Sequence, residues 1–257
     1  MESKIKIFEC GKQEGVFSRN SKFYPINTPK SEIEKQFLEV KKTAGKHFNF
    51  DYKKIFQATQ KNSNNNIEYP DGKYVVIDEK YMTNDNFWDE RIETDILIIT
   101  EKYKGIVIGN QMADCPIIIA EDRKLGVTAL SHCGAEYINR MLPQDTIKAL
   151  IKEFNSKIED IYVYIGSSAK SSTYIYDKYP HWATNRQIWD GNIIEEKNKY
   201  HINMNGAIKR QLEELGIINI EESLINTMTD ERYYSHAEAV KGNVGKLGQN
   251  FVGFYYK

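Results

Sequence analysis

The chain has 257 residues, 35 Lys plus Arg against 36 Asp plus Glu, a net charge of −1 and 40% hydrophobic residues. That length buries a full core without staples, and the near-neutral balance gives no bulk electrostatic reason to bind nucleic acid or an anionic membrane. Three cysteines (Cys10, Cys115 and Cys133) with no C-x-x-C spacing exclude a disulfide scaffold and point to a reducing compartment.

Residues 1–10 alternate charged and apolar side chains and lack the apolar run of a signal peptide. Ser31 and Glu34 then form a capping-box pattern. It predicts a helix with Ser31 as N-cap, with Ile33, Phe37 and Val40 on one face and Gly45 as the stop. The turn-rich stretches 62–66 and 70–72 predict an exposed loop or hairpin insertion. Five short Ile/Val-rich runs follow, at 74–78, 94–100, 105–109, 115–120 and 125–131. They predict adjacent strands of one sheet.

Residues 145–154 repeat Ile147, Leu150, Ile151 and Phe154 at helical spacing. Residues 160–166 predict a strand, 205–215 a helix ended by Gly216, and 250–257 a closing strand. Hairpin-like strand pairs interspersed with helices favour α+β over a doubly wound sheet. No apolar run approaches the ~20 residues that span a bilayer. With no linker and no repeat visible, the expectation is one domain over residues 1–257 of a cytoplasmic protein.

The informative segment holds Asp114, Cys115 and Pro116, followed by Ser131, His132, Cys133 and Gly134. Cys115 opens one predicted strand and His132 closes the next. If the two strands form a hairpin, sulfur and ring meet at one sheet edge. Such a pair can share a soft divalent ion, or His132 can take the thiol proton and leave Cys115 as nucleophile. The ordinary alternative is a small apolar cysteine and a structural histidine. Cys133 neighbours His132 in a strand, points to the opposite face and is assigned to the core. His181 and His201 carry no motif and are read as structural.

Ala113-Asp114-Cys115-Pro116 and His132-Cys133-Gly134 resemble the T-A-D-C-x-P and H-A-G-W-R-G motifs of the YfiH/laccase-domain family, also called the multicopper polyphenol oxidase or purine nucleoside phosphorylase laccase-domain family. Gly15 to Arg19 resembles its G-F-S-x-R, residues 93–100 its E-A-D-A-L-V-T, and residues 164–166 open its G-P-x-I-G segment. Residues 211–216 and 233–236 resemble its Q-L-x-x-x-G and F-F-S-Y/H-R-R. The matching pieces run in order from Gly15 to the C-terminus.

The resemblance implies an α+β fold of mixed sheets in a layered sandwich with flanking helices, a cysteine-hydrolase fold shared with certain toxin deamidases. It implies phosphorolysis of adenosine or inosine, or deamination of adenosine, on a small nucleoside-like substrate, with no nucleic acid or membrane partner. It makes Cys115 and His132 both catalytic and metal-binding, for zinc, or copper in the older reading. It places Asp114, Glu136 and His236 at the substrate. The third ligand of the family is the His of Q-V-H-G, where this chain has Gln57-Ala58-Thr59-Gln60, so Thr59 stands in its place. His47 is the only histidine before His132. Ala135 and Glu136 replace the Trp and Arg of H-A-G-W-R-G, and Ala237 and Glu238 replace the two arginines of the later motif.

Three expectations therefore stand together. The chain is a purine nucleoside enzyme with an incomplete metal triad, or a degenerate non-catalytic relative that keeps the fold and a ligand pocket, or a metal-free cysteine hydrolase or deamidase using Cys115 and His132.

Overall fold

The computed structural model describes residues 2–60, 73–82 and 90–257. The turn-rich stretches 62–66 and 70–72 lie outside the described residues. In chain order the elements are β1 (Ile5–Cys10), α1 (Lys30–Phe48), β2 (Ile55–Thr59), β3 (Tyr74–Val76), β4 (Glu90–Glu93), β5 (Ile96–Thr100), β6 (Val107–Met112), β7 (Ile117–Asp122) and β8 (Val127–His132). Then come α2 (Ala135–Asn139), α3 (Leu142–Phe154), β9 (Ile161–Ile165), β10 (Ile175–Tyr176), α4 (Arg186–Trp189), β11 (Ile193–Glu196) and β12 (Lys199–Ile202). The chain closes with α5 (Met204–Glu214), β13 (Ile220–Glu222), α6 (His236–Val240) and β14 (Asn250–Tyr256).

Two mixed sheets carry the fold. One has the order β1-β14-β6-β2-β4, the other β13-β9-β7-β8-β5-β3, and a small antiparallel sheet β10-β12-β11 stands apart. Strand alternation sorts the apolar side chains into layers. On β7, Ile117 and Ile119 join Phe56, Ile108, Leu130 and Phe254 between the two large sheets. Ile118 and Ala120 face the other way, onto Ile147 and Leu150 of α3 and Ile208 of α5. On the outer face of the first sheet Ile55, Val107 and Phe251 pack against Phe37 and Ala44 of α1. The result is an α+β sandwich of helix, sheet, sheet and helix.

The first helix differs from its expectation at both ends. It begins at Lys30 with Pro29 as N-cap and no side-chain cap bond, so Ser31 lies inside the first turn. The Pro29 carbonyl accepts from the backbone N–H of Glu32 and Ile33, which supplies the first helical bonds without Ser31. Gly45 does not stop the helix. A Cβ there would stand 2.8 Å from the Phe50 carbonyl oxygen, so this glycine permits a close approach inside the helix. The helix ends at Asn49, in the left-handed region at φ 60°, whose N–H reaches the Gly45 carbonyl.

Of the five strands expected to be neighbours, β3, β5, β7 and β8 share the six-stranded sheet, while β6 belongs to the other. Local sequence fixes that a strand alternates; its neighbours are chosen by distant partners, here β14 and β2. The helix expected at 145–154 starts earlier, at Leu142, behind Met141 in the left-handed region and with Pro143 in its first turn. Gly216, at φ 88°, follows α5 as expected. The closing strand β14 is central, between β1 and β6.

Gly109 on β6 is where the first sheet is tightest. A Cβ there would lie 2.2 Å from Phe251 Cζ and 2.9 Å from the Val252 carbonyl oxygen. Phe251 is fully buried under α1, so the ring has nowhere to go. Gly109→Ala is expected to destabilise the fold by about 1–3 kcal/mol through overpacking, read by urea unfolding. An unchanged midpoint would show that the Phe251 ring yields.

Candidate functional site

The site is built by one antiparallel hairpin. β7 and β8 pair with Ile117 opposite His132, and the pairing extends one step further through the Cys133 N–H, which donates to the Pro116 carbonyl at 2.8 Å. Cys115 therefore lies diagonally across from His132. By alternation Cys115 shares the face of Ile117 and Ile119, and His132 the face of Leu130. All three of those neighbours are in the layer between the sheets, so sulfur and imidazole lie on the same face, and both line one cavity at the open end of that layer. Cys133 takes the opposite face, fully buried against the helices.

A turn at Asp114 brings Cys115 into place. Asp114 has φ 81°, a conformation that costs a non-glycine residue roughly 1 kcal/mol or more. Its buried carboxylate offsets that cost. Oδ1 accepts from Thr227 Oγ1 at 2.7 Å, and Oδ2 accepts from Ser235 Oγ at 3.0 Å and the Ala237 N–H at 2.7 Å. The carbonyl of Asp114 also takes the Ala169 N–H at 2.9 Å.

Cys115 and His132 open onto a cavity of about 970 Å³. Thr59, at the end of β2, lines it too, and the next residue, Gln60, donates from Nε2 to the His132 carbonyl at 2.9 Å. That bond ties the end of the first sheet to the end of the second. Glu136 in the first turn of α2 lines the cavity and reaches Arg140 at 3.9 Å. Aromatic surface comes from Phe23, Tyr137 and Trp182. Trp182 is braced edge-on by Trp189, with ring centroids 5.0 Å apart.

Two residues expected at the substrate stand elsewhere. Asp114 is absent from the lining, because its carboxylate is turned to Thr227, Ser235 and Ala237. His236 is exposed at the start of α6 and does not line the cavity either. It is the flanking Ser235 and Ala237 that connect to the site, through Asp114. His47 pairs with Glu14 at 2.7 Å, under the end of α1 and outside the cavity lining.

Sequence reasoning missed an amide-rich wall made of Gln57, Asn110, Gln111 and Gln249, with Arg19 and Lys22 beside it. Gln57 had a signal in the Q-V-H-G-like stretch and Arg19 in the Gly15–Arg19 motif; the others had none.

The electrostatics of the pair are those of neutral groups. Burial, helped by the Asp114 carboxylate, pushes the Cys115 thiol up to about 12. Burial alone pushes His132 down to about 4. At pH 7 the site holds a thiol and a neutral imidazole, with a thiolate fraction on the order of 10⁻⁵. A catalytic zinc takes three protein ligands plus water. Here the described donors are one sulfur, one imidazole and the Thr59 hydroxyl, a poor third ligand. Among the described residues no group of three His, Cys, Asp or Glu side chains could share an ion. This donor set does not fit a resident catalytic zinc, nor the two-histidine, one-cysteine set of a blue-copper centre.

Residues 31–252 match the model of the family described as multi-copper polyphenol oxidoreductase laccase. A purine nucleoside phosphorylase of Bacteroides thetaiotaomicron is 22% identical over 176 residues, covering 67% of this chain and 64% of that protein. The chain thus spans just under two thirds of that relative's length. An adenosine deaminase from an unknown prokaryotic organism is 24% identical over 191 residues, covering 72% of this chain and 71% of that protein. Among solved structures, the YfiH protein of Bacillus licheniformis superposes with a TM-score of 0.72 at 17% identity, over 87% of this chain and 82% of that one. YlmD of Geobacillus stearothermophilus gives 0.68 at 16% identity, over 87% and 81%. These likenesses confirm the α+β sandwich.

Two outcomes follow from the neutral pair. As pH falls from about 6.5 towards 4, the unfolded chain takes up a proton at His132 that the folded chain refuses. Stability is then lost across that window, by roughly 1–3 kcal/mol. Urea unfolding at pH 7 and pH 4.5 should show a smaller loss in His132→Asn than in the parent; equal losses would refute the assignment. Iodoacetamide at pH 7.5, followed by mass spectrometry, should label Cys115 at least about tenfold more slowly than an ordinary free thiol. Rapid labelling would restore Cys115 as a free nucleophile.

Proposed function

The chain belongs to the multi-copper polyphenol oxidoreductase laccase family, and from that premise we propose that the Cys115–His132 cavity is a purine nucleoside site where the base is released by phosphorolysis or deaminated. One observation carries the reading. The thiol and imidazole brought together by the β7–β8 hairpin open onto a single cavity that also presents the rings of Phe23, Tyr137 and Trp182. Flat aromatic faces suit a purine, and polar groups set its orientation. The named activities of the two curated relatives, purine nucleoside phosphorylase and adenosine deaminase, are both reactions of that ligand class.

The residues present allow definite roles. A neutral imidazole offers one N–H donor and one acceptor, so His132 can hold a ring nitrogen or take a proton from an attacking oxygen. The Cys115 thiol, kept protonated, is a weak donor rather than a nucleophile. Gln60 fixes the backbone of His132 from the far sheet, which holds the imidazole steady as the ligand enters. In phosphorolysis the C1′–N9 bond breaks as a phosphate oxygen bonds C1′, and the departing purine needs donors at its ring nitrogens. In deamination water adds at C6 and ammonia leaves. Zinc, which the family resemblance implies, would activate water for such an attack, but the described donors do not fit it.

That donor set favours a second reading, a family member that binds nucleosides without turning them over. The Thr59 hydroxyl and the absence of a three-donor cluster among the described residues support it.

One experiment separates the two. Purified full-length chain of measured metal content is incubated with adenosine or inosine, with and without phosphate, and products are resolved by liquid chromatography while calorimetry follows binding. The enzyme reading expects free base or inosine to form, with Cys115→Ser and His132→Ala at least about a hundredfold slower. Binding without product establishes the second reading. Neither binding nor product removes the nucleoside proposal.

A further inference from the structure

The aromatic wall of the cavity depends on a side chain that does not line it. Trp182 sits between β10 and α4, in a segment, 180–185, that is neither helix nor strand. The backbone bonds of this segment are local. The Ala183 N–H reaches the Pro180 carbonyl at 3.1 Å, and the Thr184 N–H the Trp182 carbonyl at 2.9 Å. Among the described residues, its hydrogen bonds to anything other than α4 end on Asn139 and Met141.

Asn139, the last residue of α2, is the hub. Its Oδ1 accepts from the Asn185 N–H at 2.9 Å and from the Trp189 indole Nε1 at 3.0 Å, while its Nδ2 donates to Thr184 Oγ1 at 2.9 Å. Two N–H donors on one oxygen settle which end of the amide is which. Trp189 is fully buried and meets Trp182 edge-on, with ring centroids 5.0 Å apart and planes at 64°. Tyr176 meets Trp182 from another side at 6.3 Å.

The hub is itself anchored. Ile138 beside it is fully buried in the helix-side core, and the Ile138 carbonyl accepts from Nε2 of Gln211, on α5, at 2.8 Å. At the other end of α2, a Cβ on Gly134 would stand 3.4 Å from Cys115 Sγ. Glu136 and Tyr137 of the same helix line the cavity. This short helix therefore reaches from the thiol to the loop that carries the indole.

We propose that Asn139 is a positioning residue for the ligand: by holding Thr184, Asn185 and Trp189 it sets the place of the Trp182 ring in the cavity wall, and with it the affinity for a flat base. The proposal deepens the purine reading and rests on it only for the identity of that base. A ring on an unanchored loop must be ordered as the ligand binds, which costs affinity. Asn139 does that ordering when the chain folds.

The test reads the ring and the ligand separately, in the full chain. Two indoles this close couple and give a paired band in circular dichroism; Trp182→Phe identifies it among the three tryptophans. Asn139→Leu is expected to lose the band and to bind inosine at least about fivefold more weakly by calorimetry, as loss of an aromatic contact would give. Asn139→Asp is expected to restore both. Its carboxylate accepts from Asn185 and Trp189, and the Thr184 hydroxyl can turn its own proton to it. Should Asn139→Leu fail to fold, Thr184→Val decides. Thr184 is exposed, and losing its one bond to Asn139 should diminish band and affinity together; no change in either overturns the proposal.

A folded Asn139→Leu with band and inosine affinity unchanged overturns the proposal, and so does a lost band with affinity unchanged. Equal weakening by Asn139→Leu and Asn139→Asp with the band intact also overturns it, since the amide would then act on the ligand by another route. A parent that does not bind inosine removes the nucleoside reading alone, and the band still decides whether Asn139 places the ring.

Discussion

The antiparallel pairing of β7 with β8 is the constraint on which the site depends. Strand alternation leaves a side chain only two directions, and the hairpin register leaves Cys115 and His132 no choice but the same one. A slip of β8 by one residue would send His132 into the helix-side core and bring Cys133 to the cavity. The slip is prevented on both faces at once, because Ile117, Ile119 and Leu130 fill one layer while Ile118, Ala120 and Ala129 fill the other. The Cys115–His132 pair is held by the packing of residues that do not line the cavity.

Much of this was legible in the sequence, and the limits have physical causes. The hairpin and the opposed placement of Cys133 follow from period-two patterning alone, and short runs such as Ile117 to Ala120 display it plainly. The family motifs located the pair and the fold. What could not be read was long-range partnership. β6 looks like its neighbours in sequence yet joins the other sheet, because its partners, β14 and β2, lie far away in the chain. The Gln57 and Gln111 wall was hidden for the same reason, since two glutamines 54 positions apart become neighbours only through sheet register. Asp114 misled in another way. A carboxylate next to a candidate catalytic cysteine reads as a substrate contact, and only the positions of Thr227, Ser235 and Ala237 reveal it as the clamp of a turn.

The cavity is polar in its walls but uncharged at its centre. Burial keeps the thiol protonated and the imidazole neutral, so neither group brings a fixed charge to a ligand. Among the described lining residues the formal charges are those of Arg19, Lys22 and Glu136.

The central place of β14 bears on the order in which the molecule assembles. Ile5 pairs with Tyr256, so the first strand waits for a partner 251 positions further along the chain, and closing so long a span is slow. The β7–β8 hairpin needs only a tight local turn and can form while synthesis continues. A nascent chain would then hold the sulfur and imidazole in register before the strands carrying Gln57 and Gln111 are anchored. The enclosed cavity becomes a late product of folding, and a chain stalled before β14 would carry Cys115 and His132 without an enclosure.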